Sequence, residues 1–305
     1  MGKELREVIK TITSKHLKKY KSFVFGQNLT GVGWVAGTLP KLYEKDGIIE
    51  LPTSDVSAGG FVTGSALMKK RPIYIIRYQG FNWFNCIFII NYACKSKEIW
   101  KIPAPMFIRG MSQEGSIGPV AGSSQISIFY KMPGIKIISP MTPKEYLKAY
   151  ENFEKDTDVY YISEHRRSYD RKKEFKNIML KQTELVLLPI SVTRFEAEIA
   201  QKKLSLMGYK ISIFHIVWLK PFKISKNLIK LINNSKYGAL ILDNDFEDGI
   251  PSILQGKLSS QVNNKIYKYG LMNKTAGHHS NVDNLPPSSV KITKKVESII
   301  KKKNK

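Results

Sequence analysis

The chain has 305 residues, of which 42% are hydrophobic and 11% aromatic. It is therefore long enough to build a sizeable core in one large or two medium domains, and its composition excludes a disordered protein. The formal net charge is +24, but only eight of the 49 basic residues are arginine, and the lysines are spread along the whole chain. This distribution favours a solvated, lysine-rich surface over nucleic-acid binding, which rests on charge alone.

Signals for export or membrane insertion are missing from the sequence. The longest apolar candidate, CIFIINYAC (86–94), is far too short for a transmembrane helix, and the charged N-terminal segment lacks the apolar core of a secretory signal. Cys86 and Cys94 lie in one apolar segment, which indicates two reduced thiols in the core. We therefore expect a cytoplasmic protein with no membrane association.

The first half of the chain alternates helix and strand. Residues 3–21 have the period of an amphipathic helix, with apolar positions recurring on one face that also carries His16. The predicted elements that follow are a strand SFVFG (22–26), a loop leading into a helix (27–47), a strand and turn (48–55), a tightly packed small-residue helix (59–69), a central strand RPIYIIRYQGF (71–81), a largely buried helix NWFNCIFIINYACKSKEIW (82–100), strands at 104–110 and 134–140, a helix (142–156) capped by Thr142 with Pro143 at its first position, and a strand (159–167).

A second set of elements follows a charged segment without apolar periodicity, RRSYDRKKEFKN (166–177). The predicted strands are 183–190, 210–222, 237–245 and 265–271, and the predicted helices are 195–209, 225–236 and 250–262. Alternating strands and helices are typical of parallel, doubly wound sheets. The sequence thus predicts an α/β protein with two doubly wound domains, 1–175 and 176–305.

Motifs for common cofactors and metals are absent. No GxxxxGK[ST] phosphate loop occurs, GVGWVAG (31–37) lacks the dinucleotide-binding spacing, and the adjacent His278 and His279 do not have the spacing of metal ligands. We therefore predict no metal site in this chain. Polar and aromatic residues do follow several predicted strands, and open α/β sheets bind ligands at the carboxyl ends of their strands. By themselves these residues indicate a ligand-binding protein and no particular reaction.

Several segments, in order, carry a resemblance to a known family. LPTSDVSAGGFVTGSALMKKRPI (51–73) resembles D-T-P-I-S-E-x-G-F-x-G-x-A-x-G-x-A-x-x-G-x-R-P-I, and YQGF (78–81) resembles F-x-D-F. APMFIRG, SSQ and MPGIKIISPMTPKE are similar to P-V-x-I-R-G, H-S-Q and x-P-G-L-K-V-V-x-P-x-x-x-x-D. These are patterns of the pyrimidine-binding (PYR) domain of thiamine-diphosphate enzymes, above all the β subunits of 2-oxo acid dehydrogenase E1 components, with transketolase close by. GYKISIFHIVWLKPF (208–222) resembles the C-terminal domain of the same family.

The resemblance assigns Asp55 to the family's catalytic acid. That acid hydrogen-bonds the aminopyrimidine ring of thiamine diphosphate and so activates the cofactor, which carries the chemistry. The family has glutamate there, and Asp55 is shorter by one methylene group. The alternative is that Asp55 caps the N-terminus of the helix that follows.

Four further site residues follow from the same comparison. Phe81 matches the aromatic residue that stacks on the pyrimidine, with Tyr78 flanking it; the alternative is a core aromatic. Ser123 replaces the histidine that contacts substrate, and serine is a poor general acid or base at neutral pH. Arg109 matches an arginine for which a substrate contact and a structural role both stay open. Asp55 and Ser123 are thus the predicted catalytic residues, and Arg109 and Ser123 the predicted substrate contacts.

The family's diphosphate-binding half is not in this sequence. That half has a GDG motif followed by an asparagine, whereas KDGII and EDGIPS lack this context. The resemblance implies an α-type partner subunit that holds Mg²⁺ and the diphosphate, an α2β2 assembly, and the apolar segment 81–94 as a contact face, core packing being the alternative. It implies cleavage of a C–C bond next to a carbonyl, in a ketose phosphate or a 2-oxo acid, and transfer of the fragment. A transketolase-like enzyme is our first interpretation, with a dehydrogenase E1 β subunit and a non-catalytic β-like subunit as alternatives.

Overall fold

The computed structural model describes residues 2–30, 35–114, 120–277 and 281–302. The chain separates into two compact units. The first unit comprises residues 1–113, 125–174 and 219–221, and the second comprises residues 114–124, 175–218 and 222–305. The structure confirms the predicted α/β class, with two sheets rich in parallel pairs.

The strands and helices alternate along most of the described chain. The strands are β1 (Val24–Gly26), β2 (Ile48–Glu50), β3 (Ile73–Ile76), β4 (Phe107–Ser112), β5 (Ile135–Ile138), β6 (Val159–His165), β7 (Leu185–Pro189), β8 (Ile211–Ile213), β9 (Trp218–Lys220), β10 (Ala239–Phe246) and β11 (Ile266–Leu271). The helices are α1 (Leu5–Tyr20), α2 (Asp55–Leu67), α3 (Asn82–Phe88), α4 (Ser96–Ile99), α5 (Ser127–Tyr130), α6 (Pro143–Glu154), α7 (Thr193–Leu206), α8 (Lys226–Asn233), α9 (Ile250–Ser259) and α10 (Ser289–Lys302).

The larger sheet has the order β2-β1-β3-β4-β6-β5-β9. The pairings among its first six strands are parallel. Every residue of β3, β4 and β6 is buried, as expected for strands covered on both faces. The prediction of a central strand at β3 is confirmed, because it pairs with β1 on one side and β4 on the other.

Helices α1, α3 and α6 begin within two residues of their predicted starts, whereas α2 begins at Asp55 and not at residue 59. In the described part of 27–47 the predicted helix is only a 3₁₀ turn, Glu44–Asp46. The Thr142 hydroxyl accepts a hydrogen bond from the backbone N–H of Glu145, and Pro143 is the first residue of α6, which confirms the predicted cap. Helix α1 packs against α6, and there the His16 Nδ1 atom lies 2.8 Å from the Tyr150 hydroxyl.

The prediction of one largely buried helix over residues 82–100 was wrong. Helix α3 ends at Phe88 and continues as a π-helical turn over Ile89–Ala93, in which the Cys94 N–H donates to the Ile89 carbonyl. Trp83 and Phe84 are more than half exposed. Apolar residues occur on every side of this segment, but only the side that carries Asn85 and Ile89 packs inward, against α2 and the sheet. Cys94 is buried as predicted, whereas Cys86 is only half-buried.

The smaller sheet, in the second unit, has the order β11-β10-β7-β8, and its pairs are parallel. One predicted strand, residues 210–222, is in fact two strands, because β8 belongs to this sheet and β9 to the larger one. Helix α10 was not predicted. Its sequence is rich in lysine, so the apolar stripe on one side of the helix was overlooked. The residues of this stripe pack into the core of the second unit: Ile292, Val296, Ile299 and Ile300.

Candidate functional site

Asp55 is the first residue of α2, and its side chain is partly exposed. Ser54 occupies the N-cap position, and its hydroxyl bonds to the Ser57 hydroxyl at 3.0 Å. The Asp55 carboxylate does not bond to the backbone of α2; its Oδ1 atom accepts a hydrogen bond from the Asn85 amide at 3.1 Å. The helix-cap alternative for Asp55 was therefore wrong. The Oδ2 atom has no hydrogen-bond partner among the described residues.

Asn85 joins two of the predicted site residues. Its Nδ2 atom donates to Asp55 Oδ1 and, at 3.0 Å, to the carbonyl oxygen of Phe81. Its Oδ1 atom accepts from the Tyr74 hydroxyl. Asn85 and Tyr74 are almost completely buried, so a central strand and two helices meet at one amide group.

Phe81 ends the short 3₁₀ turn Gln79–Phe81, directly before α3, and is partly exposed. The Arg77 guanidinium lies 5.5 Å from its ring centroid. Tyr78 is buried, with the guanidinium groups of Arg77 and Arg166 at 5.9 and 5.3 Å from its ring. Of the two aromatic residues, Phe81 is thus the partly exposed one. Cofactor contacts of both residues stay predictions.

Arg109 lies in a buried polar cluster on β4. Its Nε and Nη2 atoms donate to the Glu164 carboxylate at 2.7 and 3.0 Å, and Nη2 also donates to the Thr38 hydroxyl at 2.8 Å. Burial opposes the charge on Arg109, but the Glu164 carboxylate outweighs this effect and raises the Arg109 pKa above its ordinary value. This geometry gives Arg109 a structural function, and its predicted substrate contact stays a prediction.

Ser123 is buried and belongs to the second compact unit, together with its neighbour Ser124, whose N–H donates to the Asn244 carbonyl oxygen at 3.2 Å. The Asn85 amide therefore links the Asp55 side chain to the backbone of Phe81. Tyr78 is buried, and Arg109 belongs to a different hydrogen-bond cluster of the same unit.

The sequence did not identify Asn85 or Tyr74. A signal was available in the apolar segment 82–94, which contains Asn82, Asn85 and Asn91. A polar side chain at a buried helix position must find a hydrogen-bond partner, which marks such a residue for attention but does not reveal the partner.

The other motifs considered in the sequence do not form a further site in the described residues. The described residues contain no cluster of three or more His, Cys, Asp or Glu side chains that could hold a metal ion. His278 and His279 and most of GVGWVAG lie outside the described residues. Within the described part of the chain, no helix is both long and apolar enough to cross a membrane.

Comparisons with known proteins identify the family and the fold of the chain. Residues 2–172 match the family described as the transketolase pyrimidine-binding domain. The 2-oxoisovalerate dehydrogenase subunit beta of Bacillus subtilis is 28% identical over 155 residues, which cover 48% of this chain and 47% of that protein. The match thus spans about half the length of this relative. The pyruvate dehydrogenase E1 component subunit beta of Gracilaria tenuistipitata is 22% identical over 255 residues, covering 75% of this chain and 77% of that protein.

A solved structure of a split-gene transketolase, an inactive β4 tetramer, matches 99% of both chains with a TM-score of 0.75 and 14% identity. At this identity the match concerns the fold. The family match covers more than half of the sequence and includes Asp55, Asn85 and Phe81. The chain therefore belongs to the family of the transketolase pyrimidine-binding domain, whose members bind thiamine diphosphate.

Proposed function

We propose that this chain is the β-type subunit of a heteromeric thiamine-diphosphate enzyme. In this proposal residues 1–175 form the PYR domain and residues 176–305 the transketolase C-terminal-like domain. The enzyme cleaves a C–C bond next to a carbonyl, in a ketose phosphate or a 2-oxo acid, and transfers the fragment. The observation that carries the proposal is the partly exposed Asp55 carboxylate, which the Asn85 amide links to the backbone carbonyl of Phe81.

The residues present fit the aminopyrimidine half of the cofactor. An aminopyrimidine presents ring nitrogens and an amino group to a hydrogen-bonding carboxylate, and flat faces to an aromatic ring. Asp55 supplies a partly exposed carboxylate with one oxygen uncommitted among the described residues, and Phe81 supplies a partly exposed ring. Asp55 would bind the ring by hydrogen bonding and Phe81 would stack on it. When bound, the cofactor supplies the electron sink for cleavage next to a carbonyl.

An exposed apolar face along α2 is an argument for a partner subunit. A groove of about 580 Å³ runs along α2, lined by Val56, Ser57, Gly60, Phe61, Gly64, Ser65 and Phe88, and is here called the α2 groove. Phe61 is 63% exposed, and Trp83 and Phe84 are also exposed. Contiguous exposed apolar surface next to a candidate site is typical of protein interfaces. We propose that an α-type subunit carrying the GDG motif, and with it Mg²⁺ and the diphosphate, covers this face in an α2β2 assembly.

Three observations bear on the choice of reaction. The matched relatives from Bacillus and Gracilaria are named as dehydrogenase β subunits, which favours an E1 β function as the second candidate. Ser123 stands where the resemblance places a histidine, and serine does not replace histidine in proton transfer at neutral pH. We therefore place transketolase-like transfer first. Asp55 in place of glutamate motivates the third candidate, a subunit that binds its partner without catalysis.

Purification of the full chain from its native cells, followed by identification of the chains that copurify, tests the proposal. We expect a chain with a GDG motif and a downstream asparagine. Turnover of the complex with ketose-phosphate and with 2-oxo acid donors should depend on thiamine diphosphate and Mg²⁺, and Asp55→Ala should abolish it. Turnover that survives Asp55→Ala would exclude the proposed role of Asp55. A complex that binds thiamine diphosphate but does not exchange the cofactor's thiazolium proton for deuterium would favour the non-catalytic subunit.

A further inference from the structure

We propose that Asn85 is a positioning residue, which holds the Asp55 carboxylate in one orientation, and that Tyr74 fixes the direction of the Asn85 amide. This inference rests on the proposed function, since it assigns the part of the aminopyrimidine site that the family patterns leave unspecified. It concerns residues on three elements, β3, α2 and α3, that meet in the interior of the first unit.

The Asn85 amide has only one possible direction. The Tyr74 hydroxyl bonds to Asn85 Oδ1, which has no proton, so Tyr74 must donate and Oδ1 must accept. Burial, and after it the negative charge of Asp55, raises the pKa of Tyr74 well above its ordinary value, so the hydroxyl keeps its proton. Rotating the amide by 180° would remove this bond from Tyr74 to Oδ1 and would turn Oδ1 toward the Asp55 carboxylate and the Phe81 carbonyl, which can only accept. The polarity of the amide is therefore fixed.

Both protons of the Asn85 amide nitrogen are donated in hydrogen bonds. With Oδ1 turned toward Tyr74, Nδ2 faces α2 and the start of α3, where it donates to Asp55 Oδ1 at 3.1 Å and to the Phe81 carbonyl oxygen at 3.0 Å. Both amide protons and the amide oxygen of Asn85 thus form hydrogen bonds, and the residue is 1% exposed. A buried amide satisfied in this way has no alternative arrangement without an unpaired polar group.

Helices α2 and α3 approach each other closely at Gly59. Gly59 lies one helical turn after Asp55 and therefore on the same face of α2. A Cβ at residue 59 would stand 2.8 Å from the Asn85 carbonyl oxygen, so the two helices touch through backbone at this point. This contact places the short side chain of Asp55 within reach of the Asn85 amide.

The consequence is a carboxylate with two different oxygens. Oδ1 is held by Asn85, whereas Oδ2 has no partner in the described part of the chain. A side chain that is already ordered loses less conformational entropy when a ligand binds, and its geometry does not have to be selected by the ligand. Asn85 thus leaves Oδ2 as the oxygen available to an aminopyrimidine ring.

The chain offers a matched control for each variant. Asn82, one turn earlier on α3, is also buried; its Oδ1 accepts from the Tyr161 hydroxyl at 2.8 Å and its Nδ2 donates to the Gln125 carbonyl oxygen at 3.3 Å. It has the same chemistry as Asn85 but no hydrogen bond to Asp55. Asn85→Asp is therefore compared with Asn82→Asp, and the milder Tyr74→Phe with Tyr161→Phe.

The experiment titrates the full-length chain and its variants with 4-amino-5-hydroxymethyl-2-methylpyrimidine, the aminopyrimidine half of thiamine, and follows binding by NMR. Asn85→Asp replaces a donor by a carboxylate oxygen that repels Asp55, so we expect at least about a tenfold loss of affinity. Tyr74→Phe should cause a smaller loss. The controls Asn82→Asp and Tyr161→Phe should bind like the unmodified chain. The proposal would be overturned if Asn85→Asp and Tyr74→Phe bound the pyrimidine as tightly as the unmodified chain does. It would also be overturned if the two control variants lost as much affinity as these variants.

A second measurement needs no ligand. In the chain labelled with ¹⁵N-asparagine, the Asn85 side-chain signals are identified by their loss in Asn85→Asp. We expect Asp55→Asn to shift them while leaving the Asn82 side-chain signals in place, and Asn85 signals that do not respond would overturn the contact. If they respond, but the complex with the copurified partner does not bind thiamine diphosphate in the presence of Mg²⁺, the positioning contact is supported and the proposed function fails.

Discussion

Gly59 lies so close to Asn85 that a Cβ at residue 59 would stand 2.8 Å from the Asn85 carbonyl oxygen. Gly64, in the same helix, has no atom of the described chain within 4 Å of the corresponding position. These two of the three glycines in α2 therefore have different functions. Gly59 sets the distance between α2 and α3, whereas Gly64 lines the exposed α2 groove.

Gly59→Ala should destabilise the protein by about 1–3 kcal/mol, because the added methyl group forces backbone segments of α2 and α3 apart. Gly64→Ala is the control. It should leave the free energy of unfolding unchanged or raise it by roughly 0.5–1 kcal/mol, since alanine is the better helix former. Urea unfolding of both variants measures the difference. Equal effects of the two substitutions would show that the Gly59 contact does not matter for stability.

Arg109→Met should lower the free energy of unfolding by about 3–5 kcal/mol. The Glu164 carboxylate, which also accepts from the Tyr146 hydroxyl, would then stay buried without its counter-charge. Asp248→Asn is the matched control on the surface, where Asp248 is 85% exposed and pairs with Lys268 at 2.9 Å. There we expect less than about 1 kcal/mol. A small effect of Arg109→Met in the same unfolding assay would contradict a structural role of the buried pair.

Acid should destabilise the first unit through His16. Its ring is buried between the Tyr150 hydroxyl and the Arg71 carbonyl oxygen, each at 2.8 Å. Burial lowers the pKa of His16 to about 4 from the ordinary 6.5, although the bond to the Arg71 carbonyl and the charge of Glu154 oppose this effect. Below pH 6.5 the unfolded chain binds a proton that the folded chain does not, so stability is complete above pH 6.5 and is lost as the pH falls toward 4.

The total loss from this one group amounts to about 3 kcal/mol. Free energies of unfolding between pH 4 and 7.5, compared with those of His16→Asn, isolate it from the titration of carboxyl groups. The variant is expected to be less stable at pH 7 and to show a shallower pH dependence in this interval. Parallel pH profiles for the two proteins would contradict a neutral His16 in the folded state.

Phe61→Ser should weaken association with the proposed α-type partner by at least about tenfold, because exposed aromatic side chains at the centre of an interface carry much of its affinity. The same change should alter the free energy of unfolding by less than about 0.5 kcal/mol, since Phe61 is 63% exposed. Leu206→Ser, at a leucine that is 91% exposed in the second unit, is the control for a general loss of surface apolarity. Copurification at the unmodified level in Phe61→Ser would exclude the α2 groove as the contact face.

The alternation of strands and helices was readable from the sequence because it depends on local patterns. The continuous apolar run of β3 predicted a strand covered on both faces, and Thr142 with Pro143 predicted the start of α6; both are confirmed. The segment 82–100 was read incorrectly for a related reason. Its apolar content is nearly uniform around the helix, so periodicity could not reveal which side is covered, and Trp83 and Phe84 are exposed.

The sequence by itself determined the fold class, the family and the candidate acid and aromatic residue, Asp55 and Phe81, since ordered motifs are local properties of the chain. Only the tertiary structure decided what holds them. The Asp55–Asn85 hydrogen bond joins residues 30 positions apart, and the Tyr74 hydroxyl reaches the same amide from a neighbouring strand. Partners across packed elements depend on the distance and rotation of α2 against α3, which the close approach at Gly59 sets and which no local pattern encodes.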